Sequence, residues 1–240
     1  MCTVLRNLRK NKNTIKDFFI LLFSCVIGQA TAQTPSWNTK REVGMAAGLA
    51  TWSIINYTVQ FKSPAIPSGG RTWQVSGLDA AAKTRYLKPA ARISDGLLFA
   101  AGIAACMSYQ DKDKRMWAVK TGITLQSAWM AANVAHSIKM TVKRNRPYTQ
   151  AIDFTYSKRD DVYSFFSGHS ALAASLVTSA LLMRNPETKI NGKLWVAGGL
   201  LAGGATMYLR FHAGKHYPSD ILAGLIVGAG IAVLNYKIHD

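Results

Sequence analysis

An all-α bundle of about six long helices is the fold this sequence predicts, and two observations carry it. Six uncharged stretches, 43–61, 96–110, 121–138, 170–183, 194–209 and 221–236, are rich in Ala, Leu and Gly at helix-compatible spacings. None of them alternates apolar and polar residues with a period of two, so strand signals are weak throughout. The length of 240 residues suits one domain with a substantial core.

Taken in order, the chain opens on a basic lead (Arg6, Arg9, Lys10, Lys12, Lys16), then an apolar run from Phe18 to Ile27, then Ala30-Thr31-Ala32. That sequence of features predicts a secretory signal over residues 1–32, with the folded domain over 33–240. Segment 62–95 carries Pro64, Pro67 and Gly69-Gly70 and predicts a long connection with a polar helix near Leu78–Leu87. Pro186 and Gly192 predict a short turn before the fifth uncharged stretch.

The net charge is +17. Without residues 1–32 the chain keeps 24 basic and 11 acidic residues, a charge of +13. That excess favours anionic partners: phosphorylated small molecules, lipid phosphates or an anionic membrane surface. Cys106 is the one cysteine after residue 32 and reads as packing. No His, Cys and carboxylate cluster has metal-ligand spacing, so neither a metal nor another cofactor is expected.

A membrane span needs roughly 20 apolar residues, and 43–61 alone approaches that. If all six stretches crossed, Lys and Arg would divide 14 to 10 between the two sides. Setting aside Lys139, Arg146 and Arg210, for the reason below, the split is 11 to 10 and carries no orientation signal. The expectation is therefore an exported, periplasmic bundle, soluble or membrane-associated, with a multi-pass inner-membrane protein as the alternative.

Three segments concentrate phosphate-binding and proton-transfer groups beside helix ends. In Lys139-Met-Thr-Val-Lys-Arg-Asn-Arg146-Pro147, Lys139 offers a point charge and Arg146 a planar fork, held extended by the following proline. In Phe166-Ser167-Gly168-His169, backbone N–H groups at a helix start form an anion site, and His169 is placed to transfer a proton. In Arg210-Phe-His-Ala-Gly-Lys-His216-Tyr-Pro-Ser-Asp220, a carboxylate four residues after His216 is placed to fix the imidazole tautomer. Taken singly, each segment reads equally as a basic loop or a helix cap.

Their joint order, Lys-x6-Arg-Pro, Ser-Gly-His and Arg-x5-His-x3-Asp, resembles the tripartite signature of the type 2 phosphatidic acid phosphatase superfamily. The resemblance covers residues 139–220 in its motifs and implies a metal-independent phosphoric monoester hydrolase. It implies that His216 attacks phosphorus to form a phosphohistidine, that Asp220 orients it, and that His169 protonates the leaving alcohol. Lys139, Arg146, Ser167, Gly168 and Arg210 would hold the phosphate oxygens. Two positions depart from the pattern: Phe166 stands where the family has Pro, and Leu209 where it has Ser.

The charge of +13 and the expected export favour envelope lipid phosphates as substrates. Soluble phosphomonoesters are the alternative, followed by vanadate-dependent halide oxidation and non-catalytic binding of anionic lipids. No nucleic-acid partner is expected. Tyr163, Phe165 and Phe166 read either as packing or as an apolar lip for the leaving group, His212 as packing or a substrate contact, and His136 and His239 as structural or surface residues.

Overall fold

The computed structural model describes residues 35–71, 77–110, 113–184 and 190–240. The proposed signal, 1–32, lies outside the described residues. Among them are six α-helices: α1 (Thr39–Lys62), α2 (Lys88–Ser108), α3 (Lys114–Val142), α4 (Gly168–Met183), α5 (Ile190–His212) and α6 (Pro218–His239). They contain no strand, only an isolated bridge between Arg71 and Arg144. The all-α expectation therefore holds.

Each helix start has a local cause. Asn38 accepts from the N–H groups of Lys40 and Arg41 at the start of α1, and Asp113 does the same for Arg115 and Met116 at α3. Pro89 in α2 and Pro218 in α6 occupy first-turn positions where no helical hydrogen bond is lost. The α3 helix ends on Lys143 in the left-handed conformation, which swings the chain across the end of the bundle.

The helices run past the uncharged stretches because charged residues occupy their terminal turns. One expected helix is missing. Instead of a polar helix near Leu78–Leu87 there is a short 3-10 turn, Gly77–Ala81, and then irregular chain. Here Asp79 bonds across to Ser219, and the Leu87 N–H donates to the Ala213 carbonyl. Bonds to the far side of the site replace helical ones. Gly192, predicted in a turn, lies inside α5, and Pro186 falls outside the described residues.

Helix α4 is central, packing on α2, α3, α5 and α6, while α1 leans on α3. Small residues allow close approach: Ala101, Ala131, Ala171, Ala173 and Ala232 are fully buried. A Cβ on Gly228 would overlap the Ala171 carbonyl, so α6 and α4 touch backbone to backbone there. Gly228→Ala is expected to cost about 1–3 kcal/mol, read as a lower thermal midpoint. An unchanged midpoint would mean that this contact does not hold the two helices.

Buried polar side chains pair between helices. Asn56 of α1 donates to Asn133 of α3 (3.1 Å), and Asn235 of α6 donates to Ser127 of α3 (2.9 Å). The buried His239 ring meets Glu42 at 3.1 Å, which makes it structural. The outer faces, by contrast, are apolar: Ile54, Phe99, Leu194, Leu201 and Leu234 are all exposed.

Candidate active site

The three segments meet at one end of the bundle, formed by the C-termini of α3 and α5 and the N-termini of α4 and α6. Lys139 lies in the last turn of α3 and reaches the start of α4. A Cβ built on Gly168 would lie 3.4 Å from its Nζ. Ser167 caps α4, its Oγ accepting from the Ser170 N–H. The Ser167 N–H donates to the Asp220 carbonyl at 3.0 Å, which ties the start of α4 to the start of α6.

Arg146 is extended, as its place before Pro147 requires, and almost fully buried. Its Nη2 pairs with Asp160 at 2.5 Å and its Nη1 donates to the Lys215 carbonyl at 2.8 Å. The same Nη1 lies 3.3 Å from His216 Nε2.

His216 sits in the tight loop between α5 and α6 and is fully buried. Gly214, with φ of 68°, makes this loop possible, since a Cβ there would run into the carbonyls of Lys83 and Arg85. His216 Nδ1–H donates to the Ser164 carbonyl at 2.8 Å. The neutral ring therefore presents the Nε2 lone pair to the site, facing Arg146.

Asp220 is not the direct partner of that ring: its Oδ2 is 3.7 Å from Nδ1. Its carboxylate accepts instead from Ser164 Oγ (2.5 Å), Arg144 Nη1 (2.5 Å) and the Tyr217 N–H (2.9 Å). The tautomer is set by a backbone carbonyl, and Asp220 holds the loop that carries it. Asp220→Asn is accordingly expected to cost about 1–3 kcal/mol of stability. It should leave kcat within about tenfold of the parent, measured by thermal unfolding beside steady-state turnover. A loss of turnover as deep as that of a His216 deletion would put the carboxylate in the reaction itself.

On the other wall, His169 Nε2 lies 2.7 Å from Asp95 Oδ1. Arg210 Nη1 reaches the same oxygen and Ser94 Oγ, both at 3.2 Å. The Arg210 Nε is buried with no acceptor among the described residues, a donor suited to a phosphate oxygen.

Burial first, then the charges of Arg146, Lys139, Arg210 and His169, push His216 well below its ordinary pKa. The ring is thus neutral and shares one neighbourhood with all four groups. Burial alone would raise Asp160, but Arg146 and then Lys215 outweigh it and hold the carboxyl well below its usual range. Burial and then Arg146 lower Lys215 to about 8, against the pull of Asp160.

All eight residues read from the sequence thus lie at this end of the bundle. Sequence reasoning missed Asp95, Asp160, Arg144, Ser164 and Lys215. Arg144 and Lys215 lie inside the quoted motifs, and Asp95 and Asp160 are rare acids in a basic chain, so rarity was the available signal. Tyr163 and Phe166 are buried, and Phe166 packs against Ala131, Ala135 and Ala171, so they form core rather than a lip. Leu209 packs on the Ala90–Ala91–Ala213 cluster, and His212 stacks on Tyr208.

Residues 118–240, half of the chain, match the PAP2 superfamily. The chain belongs to that superfamily. Over 124 residues it is also 30% identical to an undecaprenyl-diphosphatase of Sulfolobus acidocaldarius, a match covering 50% of this chain and 56% of that protein. The match therefore spans about half the length of that relative. No solved structure matches significantly. The segment that supplies Asp79 and Asp95 precedes the region matched to the superfamily.

Proposed function

We propose that this PAP2 protein is a metal-independent phosphatase that removes the terminal phosphate of membrane lipid phosphates through a phosphohistidine. The observation that carries this reading is the His216 Nε2 lone pair, held toward Arg146 within the field of Lys139, Arg210 and His169. Binding alone would need only the cations. A histidine with one nitrogen tied to a carbonyl and the other accepting only from a phosphate-binding arginine, which a bound phosphate would draw away, is an arrangement for chemistry. The named activity of the Sulfolobus relative supports a lipid diphosphate or monophosphate as substrate.

In the first step His216 Nε2 forms a bond to phosphorus as the bond from phosphorus to the leaving oxygen breaks. His169, holding a proton once the phosphate dianion is bound beside it, gives that proton to the leaving oxygen. In the second step a water oxygen attacks phosphorus, the N–P bond returns its electron pair to Nε2, and His169 takes the water proton. Arg146, Arg210, Lys139 and the N–H groups at the start of α4 stabilise the charge on the three equatorial oxygens. Asp95 bonds both His169 and Arg210, so the incoming phosphate competes with it for the guanidinium while it holds the imidazole.

The deciding assay presents the purified protein in detergent with a prenyl diphosphate, a diacyl phosphate monoester and an aryl phosphate. Turnover of the lipid substrates is expected. Turnover of the aryl phosphate alone would favour a soluble-substrate enzyme, and none at all would sink the reading. His169→Ala should lose about 10²–10⁴-fold on an alkyl phosphate and far less on a nitrophenyl phosphate, whose leaving group needs no proton. Equal losses on both would remove His169 from the acid role.

We also propose that the bundle is embedded in the envelope membrane, as a multi-pass protein rather than an exported soluble one. Helices α2 and α6 are long and apolar enough to cross. Phe99 and Leu201, 74% and 76% exposed, belong to an outer surface that water would not favour. Retention in membranes through a high-salt wash, with release by detergent, is the expected behaviour. Release by salt alone would restore the soluble bundle.

A further inference from the structure

We propose that an open groove between α2, α3 and α4 receives the hydrocarbon chain of the substrate whose phosphate sits in the site. This rests on the lipid-phosphatase reading above and assigns it a second binding surface. The groove has a volume of about 570 Å³. Its walls are Leu98, Gly102 and Cys106 of α2, Leu125 and Ala128 of α3, and Leu176 of α4. Leu98, Gly102 and Cys106 recur every four residues, so they form one stripe along the helix. From Asp95 to Met107 that stripe runs for roughly 18 Å at the helical rise per residue, long enough for an extended acyl or prenyl chain.

What identifies the occupant is the polar end of the groove. Asp95 is the one charged residue among its lining residues, and it is also the residue bonded to His169 and Arg210. The groove therefore begins where the site ends, charged at its head and apolar beyond. Asp95 itself would repel a phosphate, so the head is held by the Arg210 and His169 that Asp95 contacts, which a bilayer lipid lying against α2 by chance would not engage. A lipid phosphate would put its phosphate on Arg210 and its chain along the stripe in a single pose. Gly102 keeps the floor open: a Cβ there would make only an ordinary contact with Leu176 (3.7 Å), and anything longer would project into the channel.

The test uses the full-length protein in detergent with prenyl monophosphates of one to four isoprene units. Gly102→Phe and, separately, Leu98→Trp are expected to lower kcat/KM for the longest member by roughly tenfold or more. The shortest member should be hydrolysed at nearly the parental rate, which shows that the fold and site are intact. An equal effect on every chain length, or none on the longest, would overturn the proposal. A second measurement needs no variant. Alkylation of Cys106, followed by peptide mass spectrometry, should be slowed by a long-chain alkyl phosphonate and not by methylphosphonate. Equal protection by both, or by neither, would overturn the groove. If the parent hydrolyses no member of the series, the catalytic reading fails while the Cys106 result still decides whether a chain binds there.

Discussion

Replacing His216 with alanine is expected to lower turnover by about 10⁴-fold or more and to abolish the covalent phosphoenzyme. The ring is fully buried, donates through Nδ1 to the Ser164 carbonyl, and turns its Nε2 lone pair toward Arg146. Among the groups brought together here, the cations cannot attack and Asp220 is engaged by Arg144, Ser164 and Tyr217. The measurement is single-turnover mixing with labelled substrate and a quench in alkali, where an N–P bond survives. Label on the parent and none on His216→Ala is the expected pair of results. Full activity in the variant would remove the nucleophile from this position. The depressed pKa adds a second signature. A folded pKa well below about 6.5 keeps the ring neutral as pH falls through that value. Phosphoenzyme formation should therefore show no loss from His216 near pH 6.5, and an acid limb there must belong to another group.

Arg144→Met is expected to destabilise the protein by about 3–5 kcal/mol. The Arg144 side chain is 2% exposed and lies between two carboxylates, Asp79 at 2.7 Å and Asp220 at 2.5 Å, with its guanidinium 3.9 Å from the centre of the Tyr217 ring. Methionine would fill much of the volume and leave both carboxylates without their cation. Lysine restores the charge but not the fork, since one ammonium cannot take the place of a guanidinium bridging two acids over an aromatic face. Thermal unfolding in detergent measures the loss. Asp79→Asn in the Arg144→Met background should recover part of it, because the unpaired carboxylate is then gone, and the non-additivity reports the pairing. A variant within about 1 kcal/mol of the parent would show that solvent already screens these groups.

The six helices were legible because uncharged stretches survive wherever helix packs on helix. Their ends were not, because Lys88–Asp95 and Lys114–Lys120 place charged residues in helical turns. Asp95 illustrates the difficulty: as the charged residue that closes one apolar stretch it reads as a boundary, yet it is the acid that meets His169 and Arg210. The motifs were legible through order and spacing, since Lys139, His169 and Arg210 sit in terminal helical turns and Arg146 and His216 in the short segments beside them. The carboxylates opposite them were not, because Asp95 lies 74 residues from His169 in the chain and no local pattern links the two. Nor does any side-chain pattern announce that a backbone carbonyl, Ser164, sets the His216 tautomer. The absent helix near Leu78–Leu87 has the same origin: its polar groups are used across the site, where local propensity has no say.

The two carboxylates around Arg144 are also made at different times. Asp79 precedes the arginine by 65 residues, and Asp220 follows it by 76. At a synthesis rate of about 5–20 residues per second, Arg144 spends roughly 4–15 s in a nascent chain that already holds Asp79 but not Asp220. During that interval Asp79 is the one of the two acids already in the chain. The loop that carries His216 and Asp220 is made after every other segment of the site, so Arg144 can be bridged between its two acids only once that loop is present.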